Sequence, residues 1–255
     1  RVQLQAFDDD GTTGRTLALN PSGGNVGIGI NDPDHTLSLS STNPRFGMYT
    51  ADGGNAAERN WIQKVNGSAY GSWELIVSNA KAGNPQTAGT TAIIVLKDGN
   101  VGIGVTPETQ HSAVSGLQLG TTSNLFNWSG GETWLTENFY YDAAGDSKYI
   151  TTSHASNYRQ YDGTHKFQVA ASGNADATIS WTTAMTINNS GNVGIGESSP
   201  DNLLHITSSG SDTTLIKLEN TNNDVYSPRM TFVKTTASVA NDDDIGKIDF
   251  YGNDS

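Results

Sequence analysis

The sequence contains no cysteine among its 255 residues. This absence excludes disulfide scaffolds, thiolate zinc sites and cysteine nucleophiles, and it leaves the redox compartment undetermined. Basic residues are also scarce, because 14 Lys and Arg stand against 26 Asp and Glu, for a net charge of −12. Such an acidic chain repels nucleic acid and anionic lipid surfaces. No apolar run approaches the roughly 20 residues of a membrane helix, so we expect neither nucleic-acid binding nor membrane insertion.

Charged residues make up only 16% of the chain and hydrophobic residues only 35%. Disorder driven by charge repulsion is therefore not expected, but the cores should be thin. The 29 glycines, with abundant Thr, Ser and Asn, predict many turns between short strands. Residue 1 is arginine and no signal-peptide pattern opens the chain, so we expect a segment of a longer protein.

One six-residue string, GNVGIG, occurs three times without a change. An internal repeat of this kind predicts an array of similar units. The three copies consist of Gly24, Asn25, Val26, Gly27, Ile28 and Gly29; Gly99, Asn100, Val101, Gly102, Ile103 and Gly104; and Gly191, Asn192, Val193, Gly194, Ile195 and Gly196.

The sequence around each copy is also similar. A proline follows at positions 33, 107 and 200, and then a Leu-x-Leu or Leu-x-Ile alternation begins at positions 37, 117 and 204. Alternating apolar pairs precede each copy, at 17 and 19, 94 and 96, and 185 and 187. A period of two indicates strands with one buried face.

Each copy of the motif is predicted to join two strands by a tight turn. The Gly-Asn pair favours a hairpin with Gly at the first central position, where a positive φ costs nothing. In the second strand Val101 and Ile103 point to one side, while the other side carries only glycine. A strand with such a bare face allows another backbone to come close.

We predict four β units, at residues 1–41, 42–120, 121–209 and 210–255. Further strands are expected at 2–4, 73–77 and 167–169. The third unit carries an aromatic-rich insert at 125–161, and the alternation at 245–250 begins a fourth unit that stops before a fourth motif. Residues 56–64 are compatible with either a short helix or a strand, and no other segment has helical periodicity.

These units require partner chains, because single hairpins cannot bury enough area to offset chain entropy. The predicted fold is all-β: an elongated homotrimeric fibre of repeated β-hairpin or small-sheet units stacked along a threefold axis. Val and Ile of the motif from three copies would meet at the centre, and the glycine face would receive a neighbouring strand.

The repeated GNVGIG, its following Pro and Leu-x-Leu, and IGKIDFYGND at 245–254 resemble the shaft and distal regions of tailed-bacteriophage tail fibres. The resemblance covers the three motif copies and their flanks. It implies a homotrimer in the virion, outside the cell, that contacts other tail or fibre proteins and binds a glycan or protein receptor on the host surface. Many members carry a C-terminal self-cleaving chaperone that drives trimerisation. This sequence shows none, so we expect it downstream or removed.

Two alternatives stay open at this point. Related repeats occur in bacterial surface proteins, so the chain could belong to an extracellular adhesin or filament. The other alternative is a polysaccharide-depolymerising tailspike, since glycoside hydrolysis needs two carboxylates and the insert holds four: Glu132, Glu137, Asp142 and Asp146. Proximity of acids in an acidic chain is a weak signal, so no enzymatic activity is expected.

Other chemistry has little support in the sequence. GNVGIG lacks the glycine spacing of the dinucleotide fingerprint and the Lys of the phosphate loop. The acidic runs at 8–10 and 242–244 lack the calcium-loop spacing, and the five histidines form no HExxH pattern. No cofactor and no metal are therefore expected.

The insert at 125–161 concentrates the aromatic residues of the chain, with nine of them in this stretch. Aromatic faces stack on sugar rings, and neighbouring acids and amides can hydrogen-bond sugar hydroxyls, so a glycan-binding surface is one interpretation. The other is a local core that fills the insert. The candidate receptor-binding residues are Trp128, Trp134, Phe139, Tyr140 and Tyr141.

Overall fold

The structure is a computed structural model that describes residues 24–50, 55–210, 216–219, 221 and 230–231. Within these residues the protein is all-β and has no helix. The chain divides into two compact units, residues 1–206 and 207–255. All the described strands lie in the first unit. They are β1 (Val26–Ile28), β2 (Leu37–Leu39), β3 (Arg45–Met48), β4 (Trp61–Val65), β5 (Trp73–Ser78), β6 (Gly89–Val95), β7 (Val101–Ile103), β8 (Val114–Leu119), β9 (Ser123–Trp128), β10 (Glu132–Glu137), β11 (Tyr140–Tyr141), β12 (Ser147–Lys148), β13 (Ser153–Tyr161), β14 (Thr164–Gly173), β15 (Thr182–Ile187), β16 (Val193–Ile195) and β17 (Leu204–Ile206).

Thirteen of these strands form one sheet, in the order β17-β16-β15-β14-β13-β10-β9-β8-β7-β6-β5-β4-β3. Nearly every strand pairs with its neighbour in sequence. The exception is the pairing of β10 with β13, which passes over the small β11-β12 pair. Strands β1 and β2 pair separately. The sheet is therefore a meander built from local connections, which suits a chain rich in turn residues.

Parallel pairing occurs in the described sheets only at the three motif copies. In each copy the Val-Gly-Ile strand pairs in parallel with the Leu-x-Leu or Leu-x-Ile strand that follows it, in the register Val26 to Leu37, Val101 to Leu117 and Val193 to Leu204. The register is the same although the second connection is longer. The repeat is therefore a repeated local structure as well as a repeated string.

The hairpins of the second and third motif copies are wider than the sequence predicts. The N–H of Gly99 donates to the carbonyl of Leu96 at 2.9 Å, and the N–H of Leu96 donates to the carbonyl of Asn100 at 2.8 Å. Gly99, with φ +88°, is therefore the last residue of a three-residue loop, as in a type I turn followed by a bulge. It does not take the first central position of a two-residue turn.

Several predicted strands are confirmed. The segments at 73–77 and 167–169 lie in β5 and β14, and the ambiguous segment 56–64 ends in strand β4 without a helix. The strand expected at 2–4, the apolar pair at 17 and 19 and the tail at 245–250 lie outside the described residues, as do the acidic runs at 8–10 and 242–244. The division into four units stays a prediction.

Candidate functional site: the outer sheet face and the aromatic cluster

The three glycines of each motif have different structural roles. The first and the third adopt positive φ in every copy, for example +88° at Gly99 and +71° at Gly104. The middle glycine is required by space, since a Cβ atom on Gly102 would overlap the carbonyl oxygen of Val105. The same overlap occurs between Gly27 and the carbonyl of Ile30, and between Gly194 and that of Glu197.

This geometry corrects one expectation about the bare glycine face. The close backbone approach is present, but the turn that follows the motif in the same chain supplies it. The Cδ atom of Pro107 also lies 2.7 Å from the position of a Cβ on Gly102. No space is left at Gly102 for the strand of a neighbouring chain. The glycines therefore allow each chain to fold over its own strand.

The asparagine side chain of each motif hydrogen-bonds the backbone of the segment that follows the motif. The side chain of Asn192 donates to the carbonyl of Pro200 at 3.2 Å, and Asn25 makes the same bond to Pro33. In the second copy the longer connection changes the partner, and buried Asn100 accepts a bond from the N–H of Gly116 at 2.9 Å. These bonds hold the crossover in the register that the parallel pairing needs.

The sheet has two faces of different character, and one of them is covered by the chain's own loops. On this covered face a row of buried polar side chains crosses neighbouring strands. Gln118 accepts a bond from the N–H of Glu108 at 2.9 Å, and Asn124 donates to the carbonyl of Phe139 at 2.7 Å. Buried amides that bind the covering loops satisfy both partners within one chain.

The opposite face, here called the outer face, carries an unbroken row of apolar and aromatic residues across twelve neighbouring strands. Each member lies directly opposite the next, so all of them project to the same side. This outer row consists of Val65, Trp73, Val95, Val101, Leu117, Leu125, Leu135, Tyr158, Phe167, Met185, Ile195 and Ile206.

Four of the twelve members of the outer row are exposed in the single chain, and the other eight are half-buried. Leu135 is 58% exposed and Phe167 is 42% exposed, and Leu125 and Ile195 are also exposed. A groove of about 580 Å³ runs along this face, lined by Leu135, Tyr158 and Phe167 among others. Scattered exposed apolar residues are ordinary, whereas a contiguous exposed apolar surface is typical of an interaction site.

The candidate receptor-binding residues lie on the covered face or in the segment that covers it. Trp134 is 3% exposed, Phe139 is fully buried and Tyr140 is buried, whereas Trp128 and Tyr141 keep part of their rings open. Phe139 packs edge-on against Tyr141 at 4.8 Å and against Trp181 at 5.2 Å between ring centroids. This burial favours the local core over the glycan surface for three of the five residues. Recognition by the cluster stays a prediction.

An ion pair closes one side of this core. The guanidinium of Arg159 binds the carboxylate of Glu132 and lies 4.8 Å from the ring centre of Trp134. The indole N–H of Trp134 donates to the other oxygen of Glu132 at 3.0 Å. Sequence reasoning missed Arg159, because a charged residue gives no sign of packing on a core, and it missed Trp181, which lies beyond the end of the insert.

The four acids of the insert do not converge. Glu132 and Glu137 are five residues apart in β10, so they lie on opposite faces of the sheet. Asp142 and Asp146 both pair with Lys148, at 3.7 and 3.6 Å. The backbone N–H of Asp146, together with that of Ala144 and the charge of Lys148, keeps the pKa of Asp142 below its usual value. Glu132 and Glu137 therefore do not form a carboxylate pair, whereas Asp142 and Asp146 share one lysine, and the tailspike alternative stays untested.

A second acidic cluster lies beside Tyr140. The Tyr140 hydroxyl donates to Asp176 at 2.8 Å, and burial together with this bond and nearby negative charge raises the pKa of Tyr140. Burial and the charge of Asp176 also raise the pKa of Glu108. No cluster of three or more His, Asp or Glu suited to a metal ion occurs within the described ranges.

Replacing Glu108 tests this electrostatic environment. A raised pKa in the folded state means that stability is lost as the pH rises through and above the ordinary value of 4.5. We therefore expect Glu108→Gln to raise the melting temperature at neutral pH, and the gain to disappear near pH 4 where the native carboxyl is protonated. Thermal melts across this range are the measurement. Asp34→Asn, which changes the charge equally at an exposed loop position, should have no such pH-dependent gain; a gain equal to that of Glu108→Gln would contradict the assignment.

No protein-family model matches the chain, and no curated protein matches it. In the part of the chain that the structure describes, no helix is long and apolar enough to cross a membrane.

Proposed function

We propose that the chain is a structural and host-receptor-binding segment of a phage tail fibre. It acts as a homotrimer outside the cell, with the outer row of each copy at the threefold centre. The observation that carries the assembly is the contrast between the two sheet faces. One face carries buried amides and the buried aromatic core and is closed by the chain's own loops, while the other carries the outer row, which the single chain leaves partly open. Only the second needs a partner, and further copies of the chain offer a matching surface.

The attachment role is supported by the resemblance of the GNVGIG repeats to tail fibres, and the all-β repeats suit such a rod. In the trimer the outer row is buried at the axis, while the loops at the strand ends face outward. Receptor contacts then belong to loops on a rigid scaffold, where they vary without disturbing the sheet. Trp128 and Tyr141, with their partly open rings, are two candidates for such contacts.

The assembly is tested by placing a charge in the outer row. We expect Leu135→Lys to reduce the oligomer to a single-chain species, because three like charges would meet at a dry centre. Ser129→Lys adds the same charge in the exposed turn between β9 and β10 and should leave the oligomer intact. Light scattering after size exclusion gives the masses. An unchanged oligomer for Leu135→Lys would show that the outer row lies outside the interface.

The attachment role is tested by competition with the phage that encodes the chain. Host cells pre-incubated with the purified oligomer should adsorb this phage more slowly, and the Leu135→Lys chain should compete less. Antibodies against the chain should label phage tails in electron micrographs. Labelling of bacterial surfaces without tails would favour the adhesin instead, and failure of the oligomer to bind cells that adsorb the phage would contradict the receptor role.

A further inference from the structure

The loop between β4 and β5, residues 66–72, presents the most exposed of the large hydrophobic side chains that the structure describes. Tyr70 in this loop is 90% exposed. A side chain with so little buried area contributes almost nothing to folding. The stability of the single chain therefore does not explain an aromatic ring at this position.

A buried carboxylate accepts hydrogen bonds from the loop that carries Tyr70. Glu74 is fully buried, accepts bonds from the N–H of Ser68 and the hydroxyl of Ser72, and pairs with Lys64 at 3.3 Å. Burial alone would raise the pKa of Glu74, but these bonds and the charge of Lys64 together lower it. The carboxylate is thus held ionised under the loop.

Bonds within the loop fix its path as well. The N–H of Gly71 donates to the side-chain oxygen of Asn66 at 2.6 Å, and the N–H of Ser72 donates to the carbonyl of Ala69 at 3.1 Å. Asn66 and Gly71 adopt positive φ, at 55° and 82°. The tip is therefore preorganised, which lowers the entropic cost of binding.

Beside Tyr70 lies a cleft of about 330 Å³, at the small end of the range for small-molecule sites, roughly 300–1,000 Å³. Its lining residues include Thr42, Asn43, Asn66 and Ser68, and none of its lining residues is charged. Hydroxyl and amide groups both donate and accept hydrogen bonds, which matches the hydroxyl groups of a neutral sugar. Lys64 lies beside the lining residue Gly67, but its charge is paired with Glu74, so this lining offers no unpaired positive charge to an anionic sugar.

The composition of the loop indicates binding independently of the cleft. Its sequence is Asn-Gly-Ser-Ala-Tyr-Gly-Ser. Antibody binding loops use the same residues, because Tyr supplies rigid contact area at low entropic cost and Ser, Gly and Asn supply adaptable hydrogen bonds. The small concave cleft suits one or two sugar rings, whereas a protein partner would need a far larger contact area.

We propose that the cleft between Tyr70 and the segment at 42–43 binds a neutral hexose unit of a cell-surface glycan, with the Tyr70 ring stacked on the sugar. The choice of a cell-surface glycan as the ligand depends on the proposed function, since a segment that binds a host surface needs a recognition site. The site differs from the aromatic cluster at 125–161, whose central rings are buried.

The test measures binding of glucose, galactose and mannose to the oligomer by saturation-transfer NMR and titration. We expect at least one of the three to bind the wild-type chain, with Tyr70→Ala weakening it roughly tenfold through the lost ring contact. Ser68→Ala, which removes one lining hydroxyl and keeps the N–H that binds Glu74, should weaken it less. Melting temperatures should be unchanged, because Tyr70 is exposed.

The matched control is Tyr49→Ala. Tyr49 is also an exposed tyrosine, but it follows the opposite end of β3 from the cleft. The Tyr49→Ala variant should bind the hexose as tightly as the wild type does. No binding of any of the three sugars, or equal loss in both tyrosine variants, would overturn the inference.

Cell binding separates this inference from the proposed function. If the wild-type oligomer binds host cells but no hexose, the sugar site is wrong and the attachment role stands. If it binds a hexose at Tyr70 but no host cell, the attachment role is wrong. If cell binding needs Tyr70 but survives periodate oxidation of the surface glycans, the partner is a protein and the glycan assignment is overturned.

Discussion

Gly102→Ala should lower the free energy of unfolding by about 3 kcal/mol or more, at the upper end of the usual cost of overpacking. A single methyl group at this position overlaps the carbonyl oxygen of Val105 and crowds Pro107. Relief would require the turn after β7 to move away, and with it the parallel pairing of β7 and β8. Denaturant unfolding of the variant gives the value.

Gly104→Ala is the matched control for this prediction. Gly104 lies two residues further on in the same motif, and a methyl group there would meet nothing within 4 Å. Its cost comes only from the positive φ of +71° and should be about 1–2 kcal/mol. If Gly102→Ala were as mild as Gly104→Ala, the close approach of Val105 would be disproved. Under a phosphate-loop interpretation, Gly102 variants would chiefly remove ligand binding and leave the melt unchanged.

Phe139→Ala should also be strongly destabilising, by roughly 3–5 kcal/mol. The ring of Phe139 is fully buried and contacts Phe126, Trp134, Tyr141 and Trp181. Its removal leaves a cavity that the surrounding rings cannot fill. Because this core belongs to one chain, the loss should be the same at every protein concentration, as measured by urea unfolding.

Phe167→Ala changes the same residue type on the other face and serves as the comparison. Phe167 belongs to the outer row and is 42% exposed in the single chain. Removal of the Phe167 ring should weaken the association of the chains. The unfolding midpoint should therefore fall more at low protein concentration than at high. Equal and concentration-independent losses for the two variants would contradict the division of the sheet into a self-sufficient face and an assembly face.

The repeat made much of this fold predictable from the sequence. Identical strings with the same flanking alternation indicated strands, and Val101 and Ile103 lie on one face as their spacing requires. The joining of thirteen strands into one sheet and the parallel pairs at the motifs were not predicted, because the repeats indicated small separate units. What covers Gly102 was not predictable, because the carbonyl of Val105 arrives through a turn whose path depends on tertiary contacts.

The candidate site was harder to predict than the fold. The aromatic residues at 125–161 were recognised as a group, but burial depends on which segment folds over them. Trp181 completes that core from far along the chain. Tyr70 carried a local signal, since a tyrosine among Gly, Ser and Asn is typical of a binding loop, but its meaning depends on exposure that only the structure gives.

The central claim is that further copies of the chain cover the outer row, and sedimentation velocity of the purified wild-type chain tests it most directly. The account predicts a species with three times the chain mass of 27.0 kDa, which the Leu135→Lys substitution removes. A stable, folded monomer at all concentrations, or a dimer, would contradict it.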